Sequence, residues 1–110
     1  MNIQQALMKM PNTQGQSWFP KSVFSQMPEL YETDGVPMGD KTLYVKFFTP
    51  ASNWTWYGAE FSPEDRVFFG YVEGLENEWG YFSLNELESL GAGCERDVHF
   101  TPCKFKDLRR

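Results

Sequence analysis

Leu43-Tyr44-Val45-Lys46-Phe47-Phe48-Thr49-Pro50-Ala51-Ser52-Asn53-Trp54-Thr55-Trp56-Tyr57-Gly58-Ala59-Glu60-Phe61 reads as two β-strands joined by a turn. Alternation puts Leu43, Val45 and Phe47 on one face, and β-branched and aromatic residues fill both runs. Thr49 to Asn53 supplies the turn residues between them. Working outward, Ser62-Pro63-Glu64-Asp65 is again turn chemistry: proline presets φ, and Ser and Asp bond back to the chain. Arg66 to Glu73 then forms a third strand, whose Val67-Phe68-Phe69 run predicts burial on both faces. Gly74 to Asn77 turns the chain, and Glu78 to Phe82 is a short fourth strand. At Ser83-Leu84-Asn85-Glu86 the period changes to that of a helix opened by a capping box. Leu84, Leu87 and Leu90 face the sheet in this reading, and Gly91 ends the helix. Cys94 to Phe100 is expected as a fifth strand, with Val98 and Phe100 inward and Asp97 and His99 outward.

Upstream, Ile3, Ala6, Leu7 and Met10 fall at helical spacing, and residues 11–17 are polar and break that helix. A second helix is expected from Phe19-Pro20, with Val23, Phe24 and Met27 on one side and Pro28 as its stop. The basic tail from Lys104 to Arg110 is expected to fray. The expected class is α+β, a single small domain over residues 19–108 behind a loosely attached extension over 1–18. Its sheet is a curved antiparallel meander of about five strands with short flanking helices.

At 110 residues the chain holds one modest core, and its 17% aromatic content lets that core bury a large apolar area. The net charge of −5 is unevenly placed. Nine acids (Glu60, Glu64, Asp65, Glu73, Glu76, Glu78, Glu86, Glu88, Glu95) stand against Arg66 alone between residues 60 and 95, a formal −8. Both ends of the chain are positive. Duplex nucleic acid and anionic membrane surfaces are poor partners for such a chain. A protein with a basic surface is a good one. No stretch is long and apolar enough to span a membrane, and residues 1–10 make a poor secretory signal. Cys94 and Cys103, nine positions apart, fit no zinc spacing and read as free thiols in a cytoplasmic protein.

Three constellations carry chemistry. Glu64, Asp65, Glu73, Glu76 and Glu78, with Trp79 as an aromatic anchor, are the candidate partner-binding residues. Trp54, Trp56 and Tyr57 are the alternative, an aromatic platform for a small ligand or single-stranded nucleic acid, with core packing as the plainer account. Glu60, Asp97 and His99 are the residues of a third reading, a small enzyme with a carboxylate and histidine site. Glu95-Arg96-Asp97 reads as a surface ion-pair network, or Arg96 pairs with a buried acid such as Glu60. No nucleophile elbow, phosphate loop, dinucleotide fingerprint or metal-binding pattern occurs, so no catalytic residue, metal or cofactor is assigned.

Val45-Lys46-Phe47-Phe48-Thr49-Pro50, Ser52-Asn53-Trp54-Thr55-Trp56-Tyr57 and Glu60-Phe61 resemble the signature of an uncharacterised bacterial domain-of-unknown-function family. Phe69-Gly70-Tyr71-Val72-Glu73-Gly74, Gly80-Tyr81-Phe82-Ser83-Leu84, Glu86-Leu87-Glu88 and Glu95-Arg96-Asp97 continue the resemblance, as does Pro28-Glu29-Leu30-Tyr31. It implies a small cytoplasmic protein of plasmids, prophages and other mobile elements, with no established catalytic residues. The resulting expectation is a non-enzymatic protein-binding module, in its concrete form a counter-defence inhibitor of anti-restriction or anti-CRISPR type. Such a module would present its acidic face to a basic surface of a host protein.

Overall fold

A computed structural model describes residues 12–13, 16–17, 23, 25–90 and 93–108. Both expected N-terminal helices, the boundary at residue 18 and the expected stop at Gly91 fall wholly or largely outside those residues. A two-residue pair, β1 (Asn12–Thr13) and β2 (Gln16–Ser17), precedes the main sheet. That sheet holds β4 (Val45–Phe48), β5 (Thr55–Ser62), β6 (Val67–Glu73), β7 (Asn77–Ser83) and β8 (Glu95–Arg96). Its order is β7-β6-β5-β4-β8, and every neighbouring pair is antiparallel. β3 (Thr42–Leu43) pairs with β9 (Cys103–Lys104) beside it. Among the described residues the one α-helix long enough to name, α1 (Leu84–Ser89), has six residues, so the domain is mostly β with little helix.

The four central strands lie within a residue or two of their expected bounds, and the fifth does not. β8 stops at Arg96 and pairs with β4, at the far edge from β7, so only four strands form a meander. The chain turns at Asp97, whose Oδ1 accepts the His99 main-chain N–H at 2.9 Å. Val98 is therefore 41% exposed rather than inward. The tail does not fray through Leu108. Phe105 packs its ring on Tyr71 at 4.6 Å and Trp79 at 5.1 Å, and Leu108 lies on the same cluster.

Two cores form, one on each face of the sheet. Val45, Phe47, Phe61 and Phe68 lie under Leu84 and Leu87 of α1 and under Cys94. Phe68, fully buried, meets Phe61 at 4.6 Å, Phe82 at 4.9 Å and Phe47 at 5.6 Å. Burying such a ring stabilises the fold by about 2–3 kcal/mol. Leu43, Tyr57, Ala59 and Tyr71 make the second core, closed by Trp79, Phe100, Phe105 and Leu108.

A β-bulge decides which face each residue of β5 takes. The register runs Gly58 to Gly70 and then Glu60 to Phe69, leaving Ala59 as the extra residue. One added residue reverses the alternation, so Phe61 joins Phe68 instead of following Tyr57. Glu60 is turned by the same bulge toward the face of Phe69.

α1 begins as its sequence predicts: the Ser83 hydroxyl accepts the Glu86 N–H at 3.3 Å. Leu84 and Leu87 are buried, whereas Leu90 is 47% exposed. Arg66, with φ of 54° at the end of the β5–β6 turn, ties that turn to the helix. Its guanidinium donates to Asn85 Oδ1 at 2.7 Å and to the Glu88 carboxylate.

Candidate functional site

Trp54 and Trp56 stack side by side on one face, ring centres 5.9 Å apart and planes 20° apart. Gly74 makes room for them, because a Cβ there would sit 2.1 Å from the Trp54 ring. The Thr49–Trp54 turn presents the pair through Thr49 N–H to Trp54 C=O at 3.1 Å. Opposite stand Phe82 and α1. Together they line a groove of about 460 Å³ with Thr49, Ser52, Ser83, Glu86, Leu87, Ser89 and Leu90. Trp54 is 37% exposed at its mouth, while Trp56 also packs against the first core. Tyr57 points the other way and is 2% exposed within the second core, so it takes no part in this wall. Rings, hydroxyls and a single carboxylate make a site for an apolar or aromatic group.

The acidic residues divide into two groups. Glu64 and Asp65 lie in the β5–β6 turn, and Glu73, Glu76 and Glu78 lie around the β6–β7 turn at the opposite end of both strands. Seven residues of β6 separate the two turns, roughly 20 Å at about 3.3 Å per residue. Glu86, at the start of α1, joins the first group because Ser83 pairs with Val67. Trp79 sits between these ends and is half-buried, its ring against Phe69, Tyr71 and Phe105. Residues 67–95 contain no Lys, Arg or His, and Arg66 is buried against Asn85 and Glu88.

The third constellation is not assembled. Glu60, 2% exposed, accepts the Tyr31 N–H at 2.8 Å, the Thr33 N–H at 3.1 Å and the Thr33 hydroxyl. Lys41, 4% exposed, donates to that same hydroxyl at 2.8 Å and to the Thr33 carbonyl. Asp97 instead pairs with Lys46 at 3.6 Å and caps His99. Arg96 is partly buried, and desolvation lowers its pKa against the raising effect of Asp97. Sequence reasoning groups Glu60 with Asp97 and His99 and misses its two loop partners. The available signal is an acid lodged inside the apolar run Gly58-Ala59-Glu60-Phe61.

It also misses the pair Tyr31 and Tyr81, 6.4 Å apart and both largely exposed. Tyr31 has φ of 73°, the left-handed region, which aims its N–H at Glu60. The Tyr81 phenol is raised above its ordinary value, first by its hydrogen bond with Tyr31 and then by desolvation and nearby negative charge.

Neither thiol is an activated nucleophile. Burial pushes Cys94 up to about 12, with Glu95 adding to the shift, and burial also raises Cys103. Cys94 packs at 1% exposure with Leu84 and Leu87, whereas Cys103 is partly exposed. In native buffer a maleimide is expected to modify Cys103 first and Cys94 only after unfolding; equal rates would contradict this packing. Because the folded pKa of Cys94 lies above its ordinary 9.0, the stability held by its neutral thiol is full below pH 9. That contribution is lost as pH climbs toward 12. Among the described residues no cluster of three His, Cys, Asp or Glu is placed to hold a metal. No helix among them is long and apolar enough to cross a membrane.

These features define a small antiparallel β-sheet domain with an aromatic groove on one face and carboxylates at both ends. Residues 23–105 match the family described as Protein of unknown function (DUF2958), and the chain belongs to it. No curated protein and no solved structure matches the chain.

Proposed function

We infer that this chain is a non-enzymatic protein-binding module whose partner presents a basic surface. The observation that carries this reading is the exposed acidic charge at both ends of the β6–β7 hairpin and at the start of α1. Glu64, Asp65, Glu76, Glu78 and Glu86 are exposed, residues 67–95 hold no cation, and Arg66 is already closed off by Glu88. The exposed Lys104 and Lys106 flank Phe105, nearer the middle of the hairpin than its ends. Charges so placed steer a basic partner and reject acidic ones. The counter-defence role implied by the family resemblance is its concrete version, the basic surface being the nucleic-acid groove of a host defence protein in the cytoplasm.

The test is binding to a purified basic protein at two ionic strengths, with charge-reversal variants in parallel. Screening shortens from ~10 Å at about 0.1 M salt to ~3 Å at about 1 M, so affinity is expected to fall at least ~10-fold. Glu76→Lys with Glu78→Lys lowers the low-salt affinity by a similar factor. Affinity indifferent to both salt and charge reversal rules the reading out.

The groove supports a second reading, a site for an aromatic or apolar ligand stacked on Trp54 and Trp56. Such a ligand quenches tryptophan fluorescence in the native chain and not in Trp54→Ala. Quenching by nucleotides or oligonucleotides that survives in Trp54→Ala would place the ligand elsewhere.

A further inference from the structure

We propose that β7 is a docking edge, which takes an extended basic segment of the partner as an added strand. The proposal rests on the protein-binding reading and states the geometry by which the partner is held. β7 is the outer strand of the sheet and runs through seven residues with no proline, no lysine and no bulge. Edge strands usually carry one of those guards or are very short, as β8 is at two residues.

The hydrogen-bond parity shows which main-chain groups face outward. Leu84 N–H donates to Arg66 C=O at 2.9 Å, and Gly74 N–H to Glu76 C=O at 3.2 Å. Both bonds fall on even positions of the β6–β7 register, and antiparallel ladders alternate with period two. On the inner side, Phe61, opposite Phe68, sends its N–H away from β6 to Pro28 C=O, as the same parity requires. Glu78, Gly80 and Phe82 therefore bond to β6, and Asn77, Trp79, Tyr81 and Ser83 turn their N–H groups off the sheet. Among the described residues no main-chain carbonyl accepts from the outward N–H groups of these four.

Charge selects the occupant. Glu73, Glu76 and Glu78 stand at one end of β7, and Glu64, Asp65 and Glu86 at the other. A second copy pairing on this edge would set acids against acids. A foreign strand with Lys or Arg at each end, about six residues apart, meets both groups at once. Its alternate side chains would lie against Trp79 and Tyr81, which favours β-branched or aromatic residues there.

The probe is a capped nonapeptide, Arg-Lys-Val-Thr-Ile-Thr-Val-Lys-Arg, beside a copy N-methylated at every amide from its first valine to its second, which keeps its charge and has both strand edges blocked. Amide hydrogen exchange of the full chain is followed residue by residue. In the free protein the Asn77, Trp79, Tyr81 and Ser83 amides exchange faster than those of Glu78, Gly80 and Phe82. Saturating peptide slows the outward set at least ~10-fold, and the N-methylated copy does not. Tyr81→Pro removes one outward donor without touching the β6 ladder, and is expected to weaken the peptide at least ~10-fold.

Outward amides already protected in the free protein would show an edge that is occupied, and would overturn the proposal. Equal, salt-sensitive binding of both peptides removes strand addition and leaves the basic-partner reading standing. Failure of both peptides at low salt, with a purified basic protein also unbound, removes both. Should Tyr81→Pro not fold, the exchange pattern of the native chain decides alone.

Discussion

Gly70→Ala is expected to cost more than about 3 kcal/mol, enough to leave a domain of ordinary stability largely unfolded under mild denaturant. The reason is space in the middle of the sheet, where Gly70 pairs with Gly58 on one side and Gly80 on the other. A Cβ at Gly70 would sit 1.8 Å from the Tyr57 carbonyl oxygen and 2.9 Å from the carbon bearing it. Those are main-chain atoms of β5, fixed by the ladder, so relief requires β5 and β6 to part. Both cores are hung from those two strands. Gly80→Ala is the internal control, since a Cβ there meets nothing within 4 Å. It is expected to fall within about 0.5 kcal/mol of the parent, the usual range of harmless surface changes. Urea midpoints of the two variants settle the matter: equal midpoints would show that the close approach at Gly70 does not constrain the two strands.

That contrast marks how far the sequence can be read. Alternation places β4 to β7 well because Val45, Phe47, Phe61 and Phe68 are apolar at their buried positions, and Ser62-Pro63 and Gly74 punctuate the runs. Leu43, expected on the face of Val45 and Phe47, lies instead in the second core, because the strand breaks at Tyr44 and Leu43 pairs with Cys103. Ser83 and Glu86 announce α1 through capping chemistry that is local in sequence. Register across strands is not local. The bulge at Ala59 lies next to the Gly58–Gly70 pair, and no property of Ala59 itself signals it.

The destination of β8 is equally hidden. A strand after a helix returns to either edge, and the bonds to Phe47 and Phe48 decide which. The charge count misleads for a related reason. Nearness in sequence is not nearness in space, and a hairpin strand carries Asp65 and Glu73 to opposite ends. For the groove, period two puts Trp54 and Trp56 on one face, while its far wall comes from α1, some thirty residues later. Phe105 and Leu108 read as tail because basic neighbours outnumber them, although they close the second core.

Glu60→Ala is expected to destabilise the domain by about 3 kcal/mol, the usual consequence of stranding one member of a buried ionic network. Its carboxylate satisfies two main-chain N–H groups, of Tyr31 and Thr33, and one hydroxyl, and all three lose their acceptor together. Lys41 is the other half. Its ammonium reaches the carboxylate only through the Thr33 hydroxyl, which accepts from Nζ and donates to Glu60. Removing the acid leaves a cation at 4% exposure held, among the described residues, by the Thr33 oxygens and the Phe69 ring 5.9 Å away. Lys41→Met alone is also costly, since it leaves the carboxylate without its counter-charge. The double variant is therefore expected to lose less than the two single losses combined, by about 1 kcal/mol or more. A hydroxyl bridge makes a further demand: Thr33→Val, nearly the same shape, removes most of that coupling while Thr33→Ser keeps it. Measured by urea denaturation, a cycle that closes to within about 0.5 kcal/mol of additivity would mean that Glu60 and Lys41 act independently. The loop carrying Tyr31 would then be held by main-chain capping alone.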